Sequence, residues 1–293
     1  MGQAKQKRIL GIPNGKEVTV TGDQLTAIKN NLNPQKYENV NDIISDFLKK
    51  VSNPQPVKPL ISIVTIYDEA NEKEWLDGFI DNLPVVENGL IELILCKCIQ
   101  GEPDEIKTPA IHKNGVKIYY MRCFYDTWNF AEARNAARKS ATGEWIISLD
   151  TDEILLQHQI GGIMRALKNA PDTLGAIALT VFSHVFDPVS KGMQYLSKTA
   201  YRIFRNVPEI YFQSKAHECI DFTLKESGYG AVPSTFMIYH LGYEKRDAEN
   251  MKKKLQRNYD LLVDERRNTS NPKIKEYAAK FAYDTEKILK QIN

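Results

Sequence analysis

The sequence predicts an α/β fold, a mostly parallel sheet covered by helices on both faces. Three observations carry this. Apolar runs bounded by turn signals recur at Leu60–Tyr67, Leu90–Ile99, Gly115–Arg122 and Gly143–Leu149, the pattern of strands buried on both faces. Between them lie stretches with helical spacing, among them Trp75, Leu76, Phe79, Ile80 and Leu83, and the Ala-rich Trp128–Lys139. Repeated strand-helix units of this kind build parallel sheets.

The first 58 residues differ in character from the rest of the chain. Asn14-Gly15 is a turn signal, and Lys16–Thr21 alternates as a short strand does. Ile43, Ile44, Phe47, Leu48 and Val51 fall at helical spacing, and Asn53–Pro59 carries three prolines, which neither a helix nor a ladder continues through. We read 1–58 as an accessory module with a Pro-rich linker, 59–243 as the main domain and 244–293 as a helical extension. In that extension Met251, Leu255, Tyr259 and Leu262 share one face, and Ile274, Tyr277, Ala278, Phe281, Ile288 and Ile292 another. The second half of the main domain adds a helix over Ile160–Leu167, a strand at Ala176–Phe186 and a strand-like alternation at Tyr201–Asn206, and Phe236–Gly242 contains His240.

At 293 residues the chain has ample material for a sizeable core, and a formal net charge of +2 favours neither nucleic acid nor an acidic membrane surface. The basic residues at 252–254, 257, 266 and 267 read as a solvated helix face rather than a nucleic-acid patch. No apolar run reaches the length of a membrane span, and the N-terminus lacks a signal-peptide core. A cytoplasmic protein is expected. Four cysteines are too few and too scattered for a disulfide framework. Cys96 and Cys98 alternate within one strand and are expected to pack in the core.

The chemistry concentrates in Gly143-Glu144-Trp145-Ile146-Ile147-Ser148-Leu149-Asp150-Thr151-Asp152-Glu153. This apolar run would deliver its acids to the carboxyl end of a strand, where open α/β sheets bind ligands. Two carboxylates one residue apart need a compensating cation or donor, and a hard divalent ion bridging to phosphate oxygens supplies one. A solvated strand end would also explain the acids, so the pattern alone leaves both readings open.

Further motifs narrow the choice. They are Asn129–Asn135 (Asn-Phe-Ala-Glu-Ala-Arg-Asn), Asp150-Thr151-Asp152, Arg202-Ile203-Phe204-Arg205 with Lys215-Ala216-His217-Glu218, and Tyr239-His240-Leu241-Gly242-Tyr243. In order and spacing they resemble the family 2 glycosyltransferases, and within them the bacterial and phage peptide S-glycosyltransferases that modify glycocins. The resemblance covers roughly residues 60 to 265. It implies a GT-A fold, Rossmann-like, with a small N-terminal module and a helical C-terminal tail. It also implies transfer of a sugar, with inversion, from a nucleotide-diphosphate sugar to a peptide, protein or saccharide, with Mn2+ or Mg2+ as cofactor.

On that resemblance Asp152 ligates the metal, with His240 as a further ligand or diphosphate contact, and Asp150 holds the donor ribose or assists the metal. Tyr67 and Glu69 face the nucleotide, Arg134 contacts the donor, and Arg202 belongs to the donor side. Glu218 is the candidate base; its structural alternative is an ion pair with Arg202 or Arg205. The acid that the family carries after its second strand is missing from Leu95–Gly101, where Asp104 or Glu105 could substitute. A non-catalytic GT-A-like binding module is the competing reading. The N-terminal module and helical tail could close an acceptor groove or form a homodimer.

Overall fold

A computed structural model describes residues 8–11, 17–20, 58–87, 89–100, 111–125, 128–187, 192–241 and 248–292. The expected helix over Ile43–Val51, the Pro-rich linker, and Asp104 and Glu105 lie outside them. By its contacts the chain divides into two units, Met1–Val57 and Lys58–Asn293. In the first, β1 (Arg8–Gly11) and β2 (Glu17–Val20) form a two-stranded antiparallel ribbon, with β2 where the alternation of Lys16–Thr21 predicts a strand.

The second unit is a mixed α/β structure with a helical C-terminal end. Its strands are β3 (Ile61–Tyr67), β4 (Ile91–Gln100), β5 (Ile111–Lys113), β6 (Val116–Tyr125), β7 (Trp145–Ser148), β8 (Glu153–Leu155), β9 (Leu174–Asp187), β10 (Gly192–Arg205) and β11 (Gly230–His240). Its helices are α1 (Glu69–Asp81), α2 (Phe130–Ser140), α3 (Gln157–Lys168), α4 (Asp221–Ser227), α5 (Ala248–Asn268) and α6 (Pro272–Ile292). The strands form one nine-stranded sheet, ordered β5-β6-β4-β3-β7-β10-β9-β11-β8.

The four strands β6, β4, β3 and β7 are mutually parallel, the part of the sheet that the continuous apolar runs predict. Beyond β7 the character changes. β10 runs antiparallel to both β7 and β9, β11 is parallel to β9, and β8 is antiparallel to β11. The second half departs from a parallel sheet because β9 and β10 are joined as a long antiparallel pair.

Residue alternation sends the side chains of each strand to two cores. Leu93 and Leu95 of β4 join Ile63 and Ile147 under α1 and α3, through Phe79, Ile160 and Ile163, with Leu83 just beyond α1. Ile94, Cys96 and Cys98 join Val64 and Ile146 under α2, whose Ala131, Ala133 and Ala137 allow close approach, and with Phe204, Phe212 and Leu224. Both cysteines are therefore core residues with free thiols. A third cluster joins Ala216 to Leu262 of α5 and Ala278 and Ala282 of α6. Among the described residues no helix is long and apolar enough to cross a membrane.

Candidate active site at the carboxyl end of β7

The site is assembled where the parallel and antiparallel halves of the sheet meet. β7 ends at Ser148, and Leu149 is still held by its amide on the Val64 carbonyl at 3.2 Å. Asp150, Thr151 and Asp152 then turn the chain into β8, closed by the Glu153 amide donating to the Asp150 carbonyl at 3.0 Å. β8 pairs with β11 so that Glu153 faces His240, and the Leu241 amide donates to the Asp152 carbonyl at 2.8 Å. This pairing brings the histidine to the acid: His240 Nε2 lies 3.3 Å from Asp152 Oδ2. The other ring nitrogen, Nδ1, lies 3.1 Å from the Ser183 hydroxyl of β9, a second contact that orients the imidazole.

Asp150 stands in a different environment. Arg134 of α2 donates through Nη2 to its Oδ1, and Arg202 of β10 reaches its Oδ2 at 3.4 Å. The same Arg202 nitrogen donates to Glu153 Oε1 at 2.6 Å, and Glu153 Oε2 accepts from the Asp150 amide at 2.9 Å. Arg134, only 4% exposed, also donates to Ser148 Oγ at 3.1 Å and through Nε to Glu218 Oε1 at 2.5 Å. The result is a continuous chain of charges: Glu218, Arg134, Asp150, Arg202, Glu153.

Burial works against the Asp150 charge, but Arg134 and Arg202 outweigh it and hold the carboxyl well below its usual range. Burial likewise opposes the charge on Arg134, and the Asp150 and Glu218 carboxylates more than offset it. Glu153 is pushed upward by burial and by the Asp150 charge, with Arg202 opposing.

The expected residues thus fall into three groups. Asp150, Asp152, Arg134, Arg202, Glu218 and His240 are linked at one end of the sheet. Tyr67, 8% exposed, closes β3 with its ring in the core beneath α1. Glu69 opens α1 immediately beyond that strand. The structural partner of Glu218 is Arg134 rather than Arg202 or Arg205. Arg205 instead turns to Glu144 at 3.1 Å, to the Leu174 and Pro171 carbonyls, and onto the Trp145 ring.

Three participants are not among the site residues expected from the sequence, although Asn135 and Glu153 lie inside its motifs. Asn135, beside Arg134, exchanges two hydrogen bonds with the Phe212 backbone, at 2.8 and 2.9 Å, which holds the Glu218 segment to α2. Glu153 is the second carboxylate on Arg202, and its position directly after Asp152 is the one signal that could have found it. Glu72 of α1 accepts from the Asp68 amide at 2.9 Å, and its carboxyl is pushed up to about 7 by burial and by the charges of Asp150 and Asp152.

A divalent cation can be tested against this arrangement. Asp150 already accepts from two guanidinium groups, whereas Asp152 and His240 stand 3.3 Å apart as a carboxylate and an imidazole placed to coordinate together. Among the described residues no cluster of three His, Cys, Asp or Glu side chains converges. A carboxylate and an imidazole fit a metal that arrives with its own oxygen ligands, as Mg2+ or Mn2+ does on a diphosphate.

No protein-family model matches the sequence. The chain is 32% identical over 188 residues to a TPR repeat-containing protein of Synechococcus elongatus, covering 56% of this chain and 44% of that protein, so it spans less than half of its length. Among solved structures it is similar to S. aureus TarS 1-349 in complex with UDP-GlcNAc (13% identity, TM-score 0.40, 77% of this chain and 71% of that one). It is also similar to the mannosyltransferase PcManGT of Pyrobaculum calidifontis in complex with GDP-Man and Mn2+ (14% identity, TM-score 0.42, 85% and 80%).

Proposed function

We propose that this chain is a metal-dependent glycosyltransferase of GT-A type, moving a sugar from a nucleotide-diphosphate sugar to a peptide, protein or saccharide acceptor with inversion. The observation that carries the reading is the meeting of Asp152 and His240 at 3.3 Å beside the Arg-linked Asp150 and Glu218. The motif resemblance names the same residues independently of their geometry. Residues 59–243 form the catalytic domain on this reading, with 1–58 as an accessory module and 244–293 as an extension.

Asp152 and His240 would hold the cation. When bound, Mg2+ or Mn2+ supplies positive charge to the diphosphate as it leaves. Asp150, kept ionised by its arginines, accepts hydrogen bonds from the donor ribose, and Arg202 stands on the same side. Glu218 takes the proton of the acceptor hydroxyl or thiol as that atom attacks the anomeric carbon and the bond to the diphosphate breaks. A single displacement of this kind inverts the anomeric centre.

The test is a thermal-shift panel of UDP, GDP and their sugars, with and without Mn2+, on the wild type and on Asp152→Ala. A ligand that binds only the native state raises the melting temperature by mass action. A Mn2+-dependent rise with one nucleotide, absent from Asp152→Ala, is expected and would identify the base. No rise with any nucleotide would overturn the transferase reading in favour of a binding module.

A further inference from the structure

Glu218 sits at the end of a tight loop whose shape its own sequence does not favour. The loop runs from Gln213 to Cys219 and is closed by reciprocal backbone hydrogen bonds between those two residues, at 2.9 and 3.1 Å. Within it Ser214 and His217 adopt φ values of 79° and 57°. Residues with a Cβ rarely enter this left-handed region, and persist there only where the surroundings over-determine them.

The surroundings here are α5 and α6. The Glu265 carboxylate, 8% exposed, accepts from Ser214 Oγ at 2.6 Å and from the Lys215 amide at 3.0 and 3.1 Å. Lys215 Nζ reaches Asp264 at 2.6 Å. Ala216, fully buried, packs against Leu262, Ala278 and Ala282. The Tyr277 hydroxyl donates to the His217 carbonyl at 2.8 Å, and the His217 ring stacks on Phe281 with centroids 4.8 Å apart. Four consecutive residues are thus gripped by the helix pair, and the next is Glu218, which meets Arg134 from the other side.

We propose that the C-terminal helix pair positions the acceptor side of the site, with Glu265 as the positioning residue that fixes where the Glu218 carboxylate stands. The inference rests on the reading of Glu218 as the base. A carboxylate suits the task because both of its oxygens accept, so one buried side chain restrains the Ser214 hydroxyl and the Lys215 amide together. The hairpin thereby compensates two unfavourable backbone conformations, and a small slip in its register would be felt at Glu218.

The experiment uses the full chain and the variants Glu265→Ala, Glu265→Gln and Glu218→Gln. One readout is amide hydrogen exchange across Gln213–Cys219, compared with β3 and β7. The other is Mn2+-dependent hydrolysis of UDP-GlcNAc and GDP-mannose, with water as the acceptor. Glu265→Ala should lower kcat roughly 100-fold, the scale of an ångström of misplacement, while the donor KM changes less than about twofold. Exchange should accelerate in Gln213–Cys219 and not in β3 or β7. Glu265→Gln should recover part of the loss, because its carbonyl still accepts from Ser214 and Lys215.

An unchanged kcat in Glu265→Ala, with Glu218→Gln inactive, overturns the positioning role and leaves the base standing. An unchanged kcat in Glu218→Gln removes the base and the inference with it. A raised donor KM at constant kcat in Glu265→Ala also overturns the inference, as does wild type that turns over neither probe with loop exchange unaltered in Glu265→Ala. Should Glu265→Ala fail to fold, Ser214→Gly decides: glycine suits the backbone there but cannot reach Glu265, so kcat should fall roughly 10-fold, and an unchanged kcat overturns the proposal.

Discussion

Arg134 shows how much of this site is held by one side chain. Its guanidinium ties the end of β7 to the Glu218 loop, with Asp150 on one edge, Glu218 on the other and the Phe212 ring 5.7 Å away. Removing it leaves the largely buried Glu218 without its partner and Asp150, a third exposed, with Arg202 alone, so Arg134→Ala should cost stability towards the lower end of roughly 3–5 kcal/mol, read as a lower urea midpoint. Arg134→Lys should restore little, since a single ammonium cannot span both acids. A loss below about 1 kcal/mol in the alanine variant would show instead that the pairs are worth no more than surface pairs. Glu72 makes a second prediction at this scale. Its carboxyl titrates near 7 in the native protein against 4.5 as a free group. The folded state therefore binds an extra proton between those values, and stability falls as pH rises through that window. Glu72→Gln should flatten the dependence of the melting temperature between about pH 4.5 and 7 and be the more stable protein above it. Equal slopes for the two proteins would refute the assignment. Among single residues, the acids after β7 and His240 were legible from motifs, because their types and order carry the resemblance. The partner of Glu218 was not, since pairing among several arginines depends on which loops face each other.

At the scale of elements, the turn from α2 into β7 illustrates a joint that tolerates no side chain. Gly143 passes so close to β3 that a Cβ there would lie 2.5 Å from Ser62 Oγ and 2.7 Å from its backbone nitrogen. The same turn is strapped by Glu92, 1% exposed, which accepts from Ser62 Oγ at 2.6 Å and from the Thr142 amide at 2.5 Å. Gly143→Ala must push backbone against backbone, and we expect a loss of roughly 1–3 kcal/mol in thermal or chemical unfolding. An unaltered melting temperature would mean that the turn yields more easily than its contacts suggest. The longer helices were readable from local rules, whereas the short α4 was not among the expected elements. Asn129 caps α2 by accepting from the Glu132 amide at 3.2 Å, and Leu262 of α5 and Ile274 and Ala278 of α6 are buried as their spacing predicts, whereas Ile288 of the expected α6 stripe is exposed and Leu289 is buried in its place. The Gln213–Cys219 loop was not readable in the same way. Its form comes from α5 and α6, far along the chain, and nothing in Ser-Lys-Ala-His signals a left-handed backbone.

At the scale of the molecule, the site belongs to neither half of the sheet. The parallel strands bring Asp150 and Asp152, the antiparallel half brings Arg202 and His240, and the helical C-terminal end holds the segment of Glu218. The parallel half was predicted from sequence, and so was the delivery of Asp150 and Asp152 to its carboxyl edge, because burial on both faces writes a continuous apolar run into each strand. Those are local signals of period and punctuation, and the sequence by itself determined them. Only the tertiary structure decided that Asp150 stands between two guanidinium groups while Asp152 stands beside an imidazole, and that Glu218 answers to Arg134 and, through its loop, to Glu265. The reason is physical. These relations are set by strand order, register and loop strain, each a sum over contacts between residues distant in sequence, and no periodicity along the chain encodes such sums.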